Sequence, residues 1–175
     1  MTLPVPTLSR RAAVLGALGA ALGLTTSTAL PLEAAAAPKR MVVWSKDANR
    51  AYLVENGKIK RTMKIIDNNK KTPNGDYKIW RWEKAYSYVN GRKVWLENFA
   101  PFYRRPGATA NIGFHRVPTW ASGKNKGKQI HPDSHLGTGR YTSGGCIRMS
   151  NKDIKAMRKF AKAGTKIRVQ NRRYS

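Results

Sequence analysis

A single cysteine and three histidines are the side chains of this 175-residue chain best suited to covalent chemistry, and all three histidines fall within the 31 residues before the cysteine. Cys146 stands in Ser143-Gly-Gly-Cys-Ile-Arg148. With no second thiol in the chain it has no intramolecular disulfide partner, so it is either a small buried hydrophobe or a nucleophile. The adjacent glycines favour the nucleophile, because Gly144 and Gly145 let the backbone approach a substrate and leave N–H groups to face an oxyanion. Arg148 adds a positive charge that favours a thiolate or meets a substrate carboxylate.

A thiol nucleophile needs a base that takes its proton and later returns it to a leaving amine, and imidazole serves both steps near neutral pH. His115 lies in Asn111-Ile-Gly-Phe-His-Arg-Val-Pro118, whose alternating apolar residues predict the end of a strand, a rigid mount for a catalytic group. Its plain alternative is a satisfied, half-buried histidine. His131 and His135 have the i,i+4 spacing of a helical zinc pair, with Cys146 as a further sulfur ligand. The segment lacks the internal glutamate of such a helix and carries Pro132, so the pair reads as solvated loop residues. No metal and no organic cofactor are expected.

The elements that must position these groups are mostly strands. Met41–Trp44 and Ala51–Val54 are short and apolar, and Asn56-Gly57 predicts a hairpin into Ile59–Ile66. Asn90-Gly91 predicts a second hairpin between Tyr86–Val89 and Arg92–Trp95. Between them, Thr72-Pro-Asn-Gly75 predicts a turn into a strand that places Tyr77, Ile79 and Arg81 on one face and Trp80 and Trp82 on the other. Residues 121–140 show no period and predict a long surface loop, read as the lid that would shape acceptor choice. Ser150 and Asp153 form a capping pair before the stripe Ile154, Met157, Phe160 and Ala161, which predicts one helix, and Lys166–Gln170 predicts a closing strand. The whole is mainly β, with one well-marked helix after the cysteine.

At the N-terminus, Arg10-Arg11 precede an uncharged run, Ala12–Leu24, that falls short of the roughly 18 residues a membrane span needs. The pattern predicts an export signal over 1–37, twin-arginine-like or of general secretory type, and one domain over 38–175. The formal charge is +25, and removing residues 1–37 takes away Arg10, Arg11 and Glu33 and leaves +24. In an exported protein that charge suits anionic wall polymers, and no nucleic acid partner is expected.

Ile112-Gly-Phe-His115-Arg-Val-Pro118, then Leu136-Gly137, then Ser143-Gly-Gly-Cys146-Ile-Arg148-Met149 with Asp153 resemble the catalytic core of bacterial L,D-transpeptidases of the YkuD type, and Lys71–Ile79 resembles their Thr-Pro-x-Gly segment. The resemblance spans roughly residues 41–170. It implies a β-sandwich with a small helical element, Cys146 as the acylated nucleophile, His115 as its base, and the Gly145 and Cys146 amides near the oxyanion. It also implies that Arg148 supports the site or meets substrate. The implied reaction joins peptidoglycan stem peptides by 3-3 crosslinks, with D-alanine released from a tetrapeptide donor. Hydrolysis of the same stems and non-catalytic wall binding are the alternatives, and a monomer is expected. The family commonly has Ser-His-Gly-Cys, whereas Gly144 stands here in place of that histidine. Whether that histidine orients the base or solvates the intermediate in its relatives, the candidates to take its part here are Ser143, a backbone carbonyl or His135.

Overall fold

The computed structural model describes residues 40–175, and the export-signal expectation over 1–37 lies outside them. Ten strands and one α-helix follow in chain order: β1 (Arg40–Ser45), β2 (Arg50–Glu55), β3 (Lys58–Ile66), β4 (Gly75–Lys78), β5 (Glu83–Val89), β6 (Arg92–Arg104), β7 (Asn111–Arg116), β8 (Thr119–Trp120), β9 (Ile147–Met149), α1 (Asn151–Phe160) and β10 (Lys166–Gln170). Their lateral order is β4-β10-β1-β2-β3-β9-β7-β6-β5, with β8 paired to β6. Both Asn-Gly hairpins form where expected. Asn56, Gly57, Asn90 and Gly91 all have positive φ, the conformation a two-residue turn needs if its twist is to match the strands.

The strand path folds onto itself as a sandwich. Val42, Leu53 and Met63 from one half share a core with Phe102, Phe114 and Ile147 from the other, and Trp44 meets Phe102 edge-on at 6.4 Å. Two hydrogen bonds stitch the layers, Ile79 N–H to Thr165 O at 3.0 Å and Trp80 N–H to Pro101 O at 2.9 Å. Here the structure corrects the expected strand over Tyr77–Trp82. β4 ends at Lys78 because the backbone changes partner from β10 to β6. Trp80 is left 43% exposed, while Trp82 turns inward and donates Nε1–H to Ala161 O at 2.9 Å.

Helix α1 is capped as its sequence requires: Ser150 Oγ accepts the Asp153 N–H at 3.1 Å. Ile154, Met157 and Ala161 are buried against the core, which seats the helix directly behind β9.

Strand period two sorts β7 and β9 into two faces. Ile112, Phe114, Ile147 and Met149 enter the core. Gly113, His115, Cys146 and Arg148 fall on the opposite face, where the long strand β6 curls over and packs Leu96 and Phe99 beside Ala85, Val89 and Cys146. Gly113 permits that approach: a Cβ there would land on the Ala100 carbonyl and the Phe99 ring.

Candidate active site

Between this face and the β5–β6 hairpin lies a cleft of about 570 Å³, lined by His115, Ser143, Gly144, Cys146 and Arg148 below and by β5 above. Its floor follows from the parallel pairing of β7 with β9, in which His115 is the register partner of Arg148. Cys146, two residues before Arg148, therefore comes to the same face. The expected lid, residues 121–140, lines none of the cleft. The hairpin at 83–96 covers it instead, because β6 is long enough to bend across the β7–β9 face.

The nucleophile turn is tied down from both sides. Ser143, only 7% exposed, donates Oγ–H to Cys146 O at 2.6 Å and accepts the Gly145 N–H at 3.0 Å. Ser143 thus orients the turn and makes no bond to His115 among the described residues. The Gly145 amide, expected at an oxyanion, is consumed by Ser143 in this arrangement. Gly145 has φ 141° and Ile112 Cδ1 3.2 Å from where a Cβ would sit, so glycine is needed there, whereas a Cβ at Gly144 would meet open space.

From the end of β3, Asp67 O accepts the Ser143 N–H at 3.1 Å and Asn68 Nδ2–H reaches Ser143 O at 3.0 Å. The Asp67 carboxylate is itself buried and accepts Trp44 Nε1–H at 2.5 Å. Burial raises its pKa, against the opposing hydrogen bond from Trp44 and the nearby charge of Lys46.

His115 is buried, with Nδ1 2.5 Å from the Arg116 carbonyl oxygen. A carbonyl only accepts, so Nδ1 carries the proton and Nε2 keeps its lone pair. Burial pushes the imidazole pKa down to about 4; the bond to Arg116 opposes this, and the charges of Arg148 and His131 add to it. The Cys146 thiol is pushed up by burial, against a hydrogen bond from the Gly113 backbone and the charge of Arg148. The Sγ–H points to Asn111 O at 3.7 Å, and no hydrogen bond joins it to His115 among the described residues. Arg148 does favour the thiolate, but desolvation outweighs it, so the resting pair is neutral thiol and neutral imidazole rather than an ion pair. The Arg148 Nε–H is buried without a hydrogen-bond partner among the described residues.

The other histidines stand apart. His135 stacks on Tyr141 at 3.9 Å and 7° and on His131 at 5.6 Å and 17°, so the two imidazoles lie face to face instead of converging with Cys146 on one point. His135 therefore does not orient His115. His131 is drawn in further than a solvated loop residue: its Nε2 is buried without a partner among the described residues, and desolvation lowers its pKa. The backbone carbonyl among the expected candidates is that of Arg116, which the sequence does not single out because a backbone oxygen has no residue identity, and the Asp67-Asn68 strap gives no signal because a lone Asp-Asn after an apolar strand reads as surface.

Residues 39–169 match the YkuD family, described as the L,D-transpeptidase catalytic domain. No curated protein sequence matches the chain. Among solved structures, an L,D-transpeptidase from Mycobacterium smegmatis is similar with a TM-score of 0.57 and 18% identity over 75% of this chain and 58% of that one. An L,D-transpeptidase from Mycobacterium tuberculosis H37Rv gives 0.56 and 16% over 76% and 58%. A further L,D-transpeptidase, in complex with imipenem, gives 0.57 and 16% over 75% and 59%. The chain therefore spans under two thirds of the length of these structures, and at such identities they show a shared fold.

Proposed function

The chain belongs to the L,D-transpeptidase catalytic domain family, and from that premise we propose that it joins peptidoglycan stem peptides through a thioester on Cys146. The carrying observation is the shared face of β7 and β9, which sets His115, with its Nε2 lone pair free, in the same cleft as the only thiol. Binding of a donor stem turns Sγ from Asn111 O toward His115, a tightening that free enzymes commonly lack. Nε2 takes the thiol proton as sulfur attacks the carbonyl carbon after the third residue of a tetrapeptide. The oxyanion is met by the amides that Ser143 leaves available, those of Cys146 and Gly144, donors of a kind worth about 3 kcal/mol each elsewhere. The C–N bond breaks, the imidazolium hands its proton to the departing D-alanine amine, and a thioester remains.

A side-chain amine of a neighbouring stem attacks that thioester, losing its proton to His115. Collapse expels the Cys146 sulfur, which takes the proton back, and a 3-3 crosslink is left without any nucleotide being spent. The Arg116 carbonyl fixes the imidazole tautomer, with Gly144 standing at the family's histidine position. Arg148, with its Nε–H unpaired among the described residues, is positioned to meet a stem carboxylate. We place the catalytic domain at 38–175, exported by the segment over 1–37 and held near the wall by its +24 charge.

Muropeptide products made from defined tetrapeptide donors test this reading. Crosslinked dimers support transfer. Free tripeptides alone would make the protein a carboxypeptidase, and unchanged donor would leave it a wall-binding module.

A further inference from the structure

We propose that the outer face of the β5–β6 hairpin binds the glycan strand, a chain of N-acetylated hexosamines, from which the stem peptide in the cleft hangs. The identification of the strand rests on the stem-peptide reading above; the surface itself does not. Alternation along β5 sends Ala85 and Val89 inward against Leu96 and Phe99 and turns Lys84, Tyr86 and Tyr88 toward solvent, with Tyr86 and Tyr88 also bordering the mouth of the cleft. The register of the hairpin sets Trp95 beside Tyr86 and Lys93 beside Tyr88 on that same outer face. Tyr86 and Tyr88 are 56% and 62% exposed, among the largest exposures of any big apolar side chain described. A solvent face of a hairpin ordinarily carries polar residues, and a cluster of three aromatics there marks an interaction surface.

The form of the cluster selects the ligand. Tyr86 stands 6.0 Å from Tyr88 and 6.5 Å from Trp95, centroid to centroid, at interplanar angles of 89° and 88°. Rings set at right angles make no parallel slot for a planar base, but each offers a face or an edge to the flat C–H side of one sugar ring. Lys84 Nζ lies 4.4 Å from the Trp95 centroid, and Lys93 Nζ lies 4.3 Å from that of Tyr86 and 4.8 Å from that of Trp95. The rings thus hold two ammonium groups in place as donors to hydroxyl and acetamido oxygens. The face belongs to the same hairpin that roofs the cleft, so one strand can lay its sugars outside while its peptide enters below.

Titration calorimetry of the Cys146→Ser protein with a hexamer of N-acetylglucosamine tests the inference on a protein that cannot be acylated. Saturable binding that persists at high salt is expected. Tyr86→Ala/Tyr88→Ala should weaken it about tenfold or more, the scale of one lost aromatic contact. Both tyrosines are exposed, so the double variant should unfold at the parent temperature; if it does not, Tyr88→Ala alone serves. Absence of binding, equal binding by the variant, or binding only to a phosphodiester polymer and lost in salt would each overturn the glycan assignment. Failure of peptide acylation in the unmodified enzyme, with hexamer binding intact, would sink the reading of the cleft and leave this surface standing.

Discussion

The floor of the cleft is a turn cross-tied by hydrogen bonds, and its roof is a two-stranded hairpin with an exposed aromatic face. On the floor, Ser143 Oγ bridges the Gly145 N–H and the Cys146 carbonyl, the Arg116 carbonyl holds His115 Nδ1–H, and Asp67 and Asn68 strap the turn from beneath. On the roof, the β5–β6 hairpin presents the exposed Tyr86 and Tyr88, with Lys93 Nζ over the Tyr86 ring. A floor tied in this way fixes the reacting atoms before any substrate arrives. A surface hairpin opens at lower free energy than a core strand, so the roof is the part of the cleft that can adapt to a ligand.

The comparison breaks most easily at His115. Replacement by alanine is expected to slow acylation about 100-fold or more, the usual contribution of a general base, read by stopped-flow. A variant within threefold of the parent would remove His115 from that role. The acid limb of the acylation rate should fall near pH 4, not near the unperturbed 6.5, because the buried imidazole stays neutral down to about 4.

The same shift acts on stability. His115 is held lower in the fold than the 6.5 of the unfolded chain, so its contribution is complete above that pH and is lost as pH falls toward about 4. The total is about 3 kcal/mol. Denaturant midpoints along that window should drop for the parent and drop less for His115→Ala. Parallel curves would mean the imidazole is not desolvated as described.

Gly113→Ala should cost about 1–3 kcal/mol, because its methyl meets the Ala100 carbonyl where β6 bends over the floor. Thermal unfolding reads it, and a neutral result would show that the floor and β6 are less tightly joined. The smallest effect is expected at Gly144→His, where a Cβ meets open space: stability within about 0.5 kcal/mol of the parent. Its acylation rate then shows directly whether a side chain at the family's histidine position adds anything to a base already fixed by Arg116.

Much of this arrangement was legible in the sequence, and the pattern of what was not is physical. Asn56-Gly57 and Asn90-Gly91 had to turn, Ser150 had to cap, and His115 had to end a strand, because each follows from local stereochemistry. Trp82 was assigned to the wrong face because β4 stops where the chain changes partner, a tertiary event. The lid was assigned to 121–140 on grounds of irregular composition, whereas the roof is a regular hairpin carried over the site by β6. The Gly145 amide was expected to be free because a competing hydroxyl at Ser143 is visible in sequence but its bond is not.

The central claim is that Cys146 becomes acylated with loss of D-alanine. Intact-mass measurement of the unmodified protein and of Cys146→Ser, each mixed with a tetrapeptide stem and separately with imipenem, tests it most directly. The account predicts a tripeptide-acyl adduct and an imipenem adduct on the unmodified chain and neither on Cys146→Ser. Adducts on both proteins, or on neither, would contradict it.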